Sequence, residues 1–161
     1  MEKEILWQMT IRKFAKEDRQ AYISMSEEFY NSGAVLHPVN GKNFEKTFSL
    51  LLSGNPLADG YIAEENGEAA GYALLAFSWS NEGGGLTVWL EEIYVRPKFQ
   101  CRGIGRSMIS RILHKYGAKA ARFRLEAESS NVRAINLYKR IGFRRLPYMQ
   151  MMLEPPFPCS D

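Results

Sequence analysis

Val95-Arg-Pro-Lys-Phe-Gln100-Cys-Arg-Gly-Ile-Gly105-Arg106 reads as the end of a strand, a short loop and the start of a helix. Before it, Leu86-Thr-Val-Trp-Leu-Glu-Glu-Ile-Tyr-Val95 is rich in β-branched and aromatic residues, and Arg96-Pro97 stops it. After it, Met108, Ile109, Ile112 and Leu113 recur at helical spacing, with Gly117 as the stop. Gly103 and Gly105 leave no side chain where a ligand would approach the backbone, and the helix that follows aims free N–H groups and the positive end of its dipole at the same spot. With Arg102 and Arg106 beside it, the loop is suited to cradle an anion. An isolated Gly-x-Gly can equally be no more than a tight loop. The stretch lacks the third glycine of a dinucleotide fingerprint, and no Gly-Lys-Ser/Thr follows as in a P-loop.

Downstream, Arg122-Phe-Arg-Leu-Glu-Ala-Glu128 alternates like a strand. Asn131 opens a short helix carrying Ala134, Ile135, Leu137, Tyr138 and Ile141, and Gly142-Phe143 ends it. Tyr148 to Leu153 reads as a last strand. The helical crossover makes the strands at 86–95 and 122–128 parallel neighbours. Upstream, a strand at about Met9 to Lys13 precedes two helical segments, one with Ala21, Met25 and Phe29, the other with Phe44, Phe48, Leu51 and Leu52. Asn31-Ser-Gly and His37-Pro-Val-Asn-Gly form the loop between them. Tyr61–Glu65 and Ala70–Trp79 pair as a hairpin across Asn66-Gly67, and Glu82-Gly-Gly-Gly85 turns into the strand at 86. The order β, α, α, β, β, β, α, β, α, β predicts an α/β fold built on one mixed sheet.

The whole chain supports a single domain over residues 1–161. At 161 residues it is long enough to bury a core of its own. Hydrophobic residues at 45% and charged residues at 24% exclude a disordered chain. A net charge of +3, with no long basic block, argues against a nucleic-acid tract or a membrane-surface helix. No signal peptide and no apolar run of roughly 18 residues is present, so a cytoplasmic location is expected. Cys101 and Cys159 are too few for a disulfide framework, and with only His37 and His114 beside them no metal-ligand spacing emerges. Only the tail, residues 155–161, shifts in composition, and it is expected to be loosely held.

Gln100-Cys-Arg-Gly103-Ile-Gly105 after Val95-Arg-Pro97 resembles the acetyl-CoA-binding motif of the GNAT superfamily, Gln/Arg-x-x-Gly-x-Gly/Ala after a strand ending in Val-x-Pro. A second family signature follows at the expected distance, Asn131-Val-Arg-Ala-Ile-Asn-Leu-Tyr138-Lys-Arg-Ile-Gly142-Phe143. The resemblance covers roughly residues 86–145, and the first 60 residues match only in element order. It implies the GNAT fold: a mostly antiparallel central sheet, a parallel pair splayed around the cofactor, and helices on both faces.

The resemblance also implies roles. The backbone of Ile93, Tyr94 and Val95 would bond the pantetheine arm, and Gln100, Cys101, Arg102, Gly103, Ile104, Gly105 and Arg106 would wrap the pyrophosphate of acetyl-CoA, a co-substrate needing no metal. Asn131 would meet the cofactor near its thioester, and Tyr138 would protonate the departing thiolate. A phenol near the sulfur suits that task, although helical spacing alone also makes Tyr138 a core aromatic. Glu126 matches a general-base position of some relatives. By alternation it shares a face with Glu128, Arg122 and Arg124, which also fits a solvated charge ladder. Glu91 and Glu92 point to opposite faces unless a bulge intervenes, so one of them borders the acceptor site. Trp7, Trp79 and Trp89 are expected mainly in the core.

The expected activity is transfer of an acetyl group to a primary amine by direct attack in a ternary complex, with a backbone N–H near Val95 stabilising the oxyanion. Glu91, Glu92 and Glu128, beside Glu126, suit a small polyamine-like acceptor, and a peptide N-terminus or lysine is the alternative substrate. The alternative from another class is a non-catalytic acyl-CoA sensor. Neither a nucleic-acid nor a membrane partner is expected, and a homodimer is left open.

Overall fold

The computed structural model describes residues 8–33 and 39–157. Residues 1–7, 34–38 and 158–161, with Trp7, His37 and Cys159 among them, lie outside the described residues. Among the described residues the order is β1 (Met9–Lys13), α1 (Arg19–Asn31), α2 (Gly41–Leu52), β2 (Ala58–Glu65), β3 (Glu68–Ser80), β4 (Gly85–Val95), α3 (Ile104–Tyr116), β5 (Ala120–Leu125) and α4 (Val132–Ile141). The strands form one sheet in chain order, antiparallel throughout except for the parallel β4–β5 pair that the crossover through α3 requires. Asn66 at φ 53° and Gly67 at φ 79° supply the two positive φ angles of a type I′ turn, which holds β2 and β3 in register.

The sheet is packed on both faces. On one, Ile104, Met108, Ile109 and Ile112 of α3 lie at helical spacing and are buried against Ala73, Leu75, Val88 and Leu90. Each of these α3 side chains contributes about 1.5–3 kcal/mol by leaving water. Leu137, Tyr138, Ile141 and Phe143 of the α4 region pack against the same cluster. On the other face, Tyr22 and Met25 of α1 and Phe44 and Phe48 of α2 meet Ile62, Tyr72, Leu74 and Tyr94.

Three expectations need correction. Tyr148 to Leu153 forms no strand: the segment pairs with no other strand and is exposed, because a β-prone run becomes a strand only where an edge accepts its backbone. The strand expected at 122–128 ends at Leu125, where its pairing with β4 stops, so Glu126 and Glu128 lie in the following loop and leave the arginine face. Trp79 is exposed instead of buried, and Trp89 is only half-buried, stacked against the Arg124 guanidinium. Both lie toward the end of the sheet where β3 turns into β4.

Gly71 of β3 faces Val95 where the two strands come close. A Cβ there would stand 2.4 Å from the Tyr94 carbonyl oxygen and 3.2 Å from the Val95 Cα, both backbone atoms held by the ladder. Gly71→Ala is therefore expected to cost about 1–3 kcal/mol of stability. In urea unfolding the midpoint should fall with little change in slope. An unchanged midpoint would mean that the strands can part there freely.

Candidate active site

The arrangement starts from one extra residue in β4. Leu75 of β3 pairs with Leu90, and Leu74 pairs with Glu92, so Glu91 is a bulge that β3 does not match. The bulge sets the direction of the carboxylates: Glu91 is exposed and Glu92 turns toward the α1 side, among the partners of Tyr72 and Tyr94. There the Glu92 carboxylate accepts hydrogen bonds from the hydroxyls of Tyr30, on α1, and Tyr72, the latter at 2.6 Å. Burial pushes the Glu92 carboxyl above the ordinary glutamate value, and the two phenol hydrogen bonds oppose the shift without cancelling it. Glu91 reaches solvent, yet partial desolvation, and then the charges of Glu126 and Glu92, raise its carboxyl as well. Glu91 thus senses the charges of both other carboxylates where β4 and β5 part.

That parting leaves a backbone edge open. β5 pairs with β4 from Leu86 to Leu90, whereas β4 runs on to Val95 with, among the described residues, only β3 beside it. The Arg96 amide donates to the Ala70 carbonyl at 2.9 Å, and the alternation of an antiparallel ladder then gives residues 92, 94 and 96 to β3. The N–H and C=O groups of Ile93 and Val95 face the open side. Consistent with this, the Val95 carbonyl accepts from the Gln100 side chain at 2.9 Å. Tyr94 does not join the edge: its ring lies in the α1-side cluster and its hydroxyl donates to Glu28 at 3.0 Å.

The open edge runs into the N-terminus of α3. Cys101 at φ 66° and Gly103 at φ 82° wind the loop tightly, and among the described residues no side chain caps the helix, which leaves its first amides without a capping group. A Cβ built on Gly105 would lie 3.8 Å from Leu137 and 3.9 Å from Val95, ordinary contacts that leave the approach to the backbone clear. The same distances show that α4, the α3 N-terminus and the end of β4 converge at this point. Gln100 ties them together, since its carbonyl oxygen accepts from Arg133 of α4 at 3.1 Å. Arg102 is engaged by buried Glu65 at 2.6 Å, holding the loop to β2, whereas Arg106 is exposed. Ile104 is buried and anchors the helix start. Arg106 and Arg140 flank a groove of about 650 Å³ between α3 and α4, lined also by Ile109, Ser110, Leu113, Leu137 and Ile141.

Two further residues stand at the site. Asn131 caps α4, its side-chain oxygen accepting from the Ala134 amide at 3.2 Å, which leaves its amide nitrogen for a ligand. Tyr138 is half-buried beside Phe143, and burial pushes its phenol upward, so it is protonated at neutral pH and able to donate. Glu126 is exposed beyond β5, near enough to Glu91 to act on its charge, and Glu128 is exposed farther along the loop. Sequence reasoning missed Tyr30 and Tyr72, the partners of Glu92, and Arg133 and Arg140 of α4. The two tyrosines sit in apolar patterns that read as core, so only the fold reveals which hydroxyl meets a carboxylate.

The acetyltransferase (GNAT) family matches residues 19–143. An L-methionine sulfoximine/L-methionine sulfone acetyltransferase of Salmonella typhimurium is 32% identical over 146 residues, 84% of this chain and 80% of that one. A thialysine N-epsilon-acetyltransferase of Sus scrofa is 36% identical over 77 residues, 47% of this chain and 45% of its own. The chain spans about half the length of the first curated relatives it matches. In fold it is similar to an aminoglycoside N-acetyltransferase solved with CoA, at a TM-score of 0.76 and 18% identity over 92% of this chain and 96% of that one.

The raised Glu92 carboxyl has a thermodynamic signature. Its folded value lies above its unfolded one, so the folded state holds the proton more tightly and stability is greatest below the ordinary glutamate value of 4.5. As pH rises from there through the raised value, this contribution is lost. The unfolding free energy of the wild type minus that of Glu92→Gln should therefore decline across that window and level off above it. Urea titrations at a series of pH values measure the difference, and a flat difference would mean that Glu92 ionises as it does in water.

Proposed function

The chain belongs to the GNAT acetyltransferase family, and from that footing we propose that it moves an acetyl group from acetyl-CoA to a primary amine of a small, positively charged acceptor. The observation that carries the proposal is the open Ile93–Val95 edge running into the uncapped N-terminus of α3, with the Glu92 carboxylate on the other side of the strand. The site fits the co-substrate by its chemistry. A pantetheine arm has amides that can complete the unpaired edge, and a pyrophosphate matches free helix amides with a clear approach at Gly105. Arg106 and Arg140 are placed to meet the remaining phosphate charge.

Acetyl-CoA supplies the activated acyl group, and the residues of the chain do the rest. The Ile93 and Val95 amides lie where they can stabilise the charge that develops on the carbonyl oxygen. Glu92, with its raised carboxyl, takes the proton that the attacking amine must lose, directly or through water. Tyr138 gives a proton to the sulfur as the carbon–sulfur bond breaks, leaving CoA as a thiol. Glu126, the base expected from sequence, stands at the solvent mouth and joins Glu91 in attracting a second cationic group of the acceptor. Several relatives act on small amines by name, among them a spermine/spermidine N(1)-acetyltransferase of Bacillus subtilis, which supports an acceptor of this class.

Two measurements test the proposal. Gly105→Glu should abolish CoA binding in calorimetry while the protein stays folded, because a carboxylate placed among the helix amides repels the pyrophosphate and fills its approach. Undiminished affinity would remove the site. In a thiol-release assay with acetyl-CoA, polyamines and diamines should turn over better than amino acids or peptides. On the best acceptor Tyr138→Phe should lower kcat by about 10²-fold with little change in cofactor affinity. Silence of every small amine while peptides react would overturn the acceptor class, and full activity of Tyr138→Phe would return that tyrosine to the core.

A further inference from the structure

Two carboxylate–phenol contacts join α1 to β4, and they are built in opposite senses. Tyr30 of α1 donates to the Glu92 carboxylate of β4, whereas Tyr94 of β4 donates to the Glu28 carboxylate of α1 at 3.0 Å. Arg96, next on the same side of the chain, strengthens the second contact: its Nε lies 3.1 and 3.2 Å from the two Glu28 oxygens, and its Nη2 lies 3.0 Å from one of them. The same guanidinium donates to the Ser24 hydroxyl of α1 at 3.0 Å and to the Ala69 carbonyl of β3 at 3.1 Å, so it is fixed to the helix and to the sheet at once. Burial works to protonate Glu28, but the hydrogen bonds from Arg96 and Tyr94, with the Arg96 charge, hold its carboxyl below the ordinary glutamate value.

Tyr22, Met25 and Phe29 form the stripe by which α1 packs on the sheet. Glu28 and Tyr30 are two residues apart, roughly 200° around a helix, and so leave α1 on opposite flanks of that stripe. A helix gripped on both flanks cannot roll. Released at Glu28, α1 turns about its stripe and draws Tyr30 away from Glu92. Tyr72, the other donor to Glu92, belongs to β3 and is held by the ladder opposite Tyr94, so of the two bonds the Tyr30 bond alone depends on how α1 is seated. From this geometry we infer that Glu28 is a positioning residue for the reaction, fastening α1 to Tyr94 and Arg96 so that Tyr30 keeps its hydrogen bond to Glu92. The inference rests on the acetyl-transfer reading, with Glu92 as the group that takes the proton of the amine. The groups that face Glu92 are Tyr30 and, through charge, Tyr22 on α1, Tyr72 on β3 and Glu91 beside it on β4, while α2 packs the Phe44 ring against Tyr30 and Glu126 acts on Glu91. Burial raises the Glu92 carboxyl and both phenol bonds hold it down, so losing Tyr30 raises it further. A direct effect of charge has the opposite sign: removing the negative Glu28 and leaving Arg96 unpaired would lower it.

The acid limb of kcat against pH, measured with saturating acetyl-CoA and the best small amine, reads the difference. In Glu28→Gln the limb should move to higher pH, so that kcat on its acid side falls about tenfold, the weight of one hydrogen bond to a carboxylate, while the alkaline plateau holds. Tyr30→Phe should move it the same way, and adding Glu28→Gln to Tyr30→Phe should move it no further. Tyr94→Phe keeps its ring in the core and removes one grip on Glu28, so it should fold and show a smaller move in the same direction. If no small amine turns over, or if Glu92→Gln keeps the limb, the assignment of Glu92 as the base fails. The grip of Glu28 is then read from the carbon-13 NMR titration of the Glu92 carboxyl, whose midpoint should rise in Glu28→Gln and in Tyr94→Phe. A limb or midpoint that stays in place or moves to lower pH in these variants, or that moves as far again when Glu28→Gln joins Tyr30→Phe, would overturn the positioning role.

Discussion

β4 carries one more residue than β3 between Leu90 and Ile93, and the bulge at Glu91 absorbs it. Without it, strict alternation would put Leu90 and Glu92 on the same face and bury a carboxylate among the apolar side chains of α3. With it, Leu90 and Ile93 both serve the α3-side core, while Glu92 and Tyr94 serve the other side. The added twist of a bulge also accounts for the early end of the β4–β5 pairing, and the backbone of Ile93 and Val95 is left open as a result. A single irregularity in one strand therefore makes both a polar group inside the sheet and an unpaired edge beside it.

The buried polar chemistry around Glu92 is costly, and its partners set how costly. Placing a carboxylate where water is scarce favours its neutral form, and the hydroxyls of Tyr30 and Tyr72 recover part of the lost hydration. The same balance leaves a group that is easily protonated, as a proton acceptor in a reaction must be. On the opposite flank, the helix amides at Ile104 to Arg106 stay uncapped, and Gln100 spans Val95 and Arg133 so that loop, strand and α4 hold one geometry. Arg102 is drawn toward Glu65, which makes it a brace for the loop as much as a source of positive charge.

Among the described residues no strand covers the outer side of β5, and the β-prone run Tyr148–Leu153 stands exposed in the same molecule. An exposed apolar run and an unpaired edge are both unfavourable in water.

By itself the sequence determined the elements with strong local signals. The helices that carry Ala21, Met25 and Phe29, then Phe44, Phe48, Leu51 and Leu52, and then Met108, Ile109, Ile112 and Leu113 follow from apolar spacing, the β2–β3 turn from Asn66-Gly67, and the uncapped α3 N-terminus from Gly103 and Gly105, because each depends on residues close together in the chain. Two motifs in the right order identified the family in the same way. Only the tertiary structure decided the rest. It chose which of Glu91 and Glu92 turns inward, since that depends on the register against β3. It ended β5 at Leu125 and so released Glu126 and Glu128 from the face that alternation assigned them. It gave Glu92 its two tyrosine partners, which lie 62 and 20 residues away in sequence. It also left Tyr148–Leu153 unpaired, because a strand is defined by the edge that receives it, and sequence spacing carries no record of whether that edge lies in the same chain.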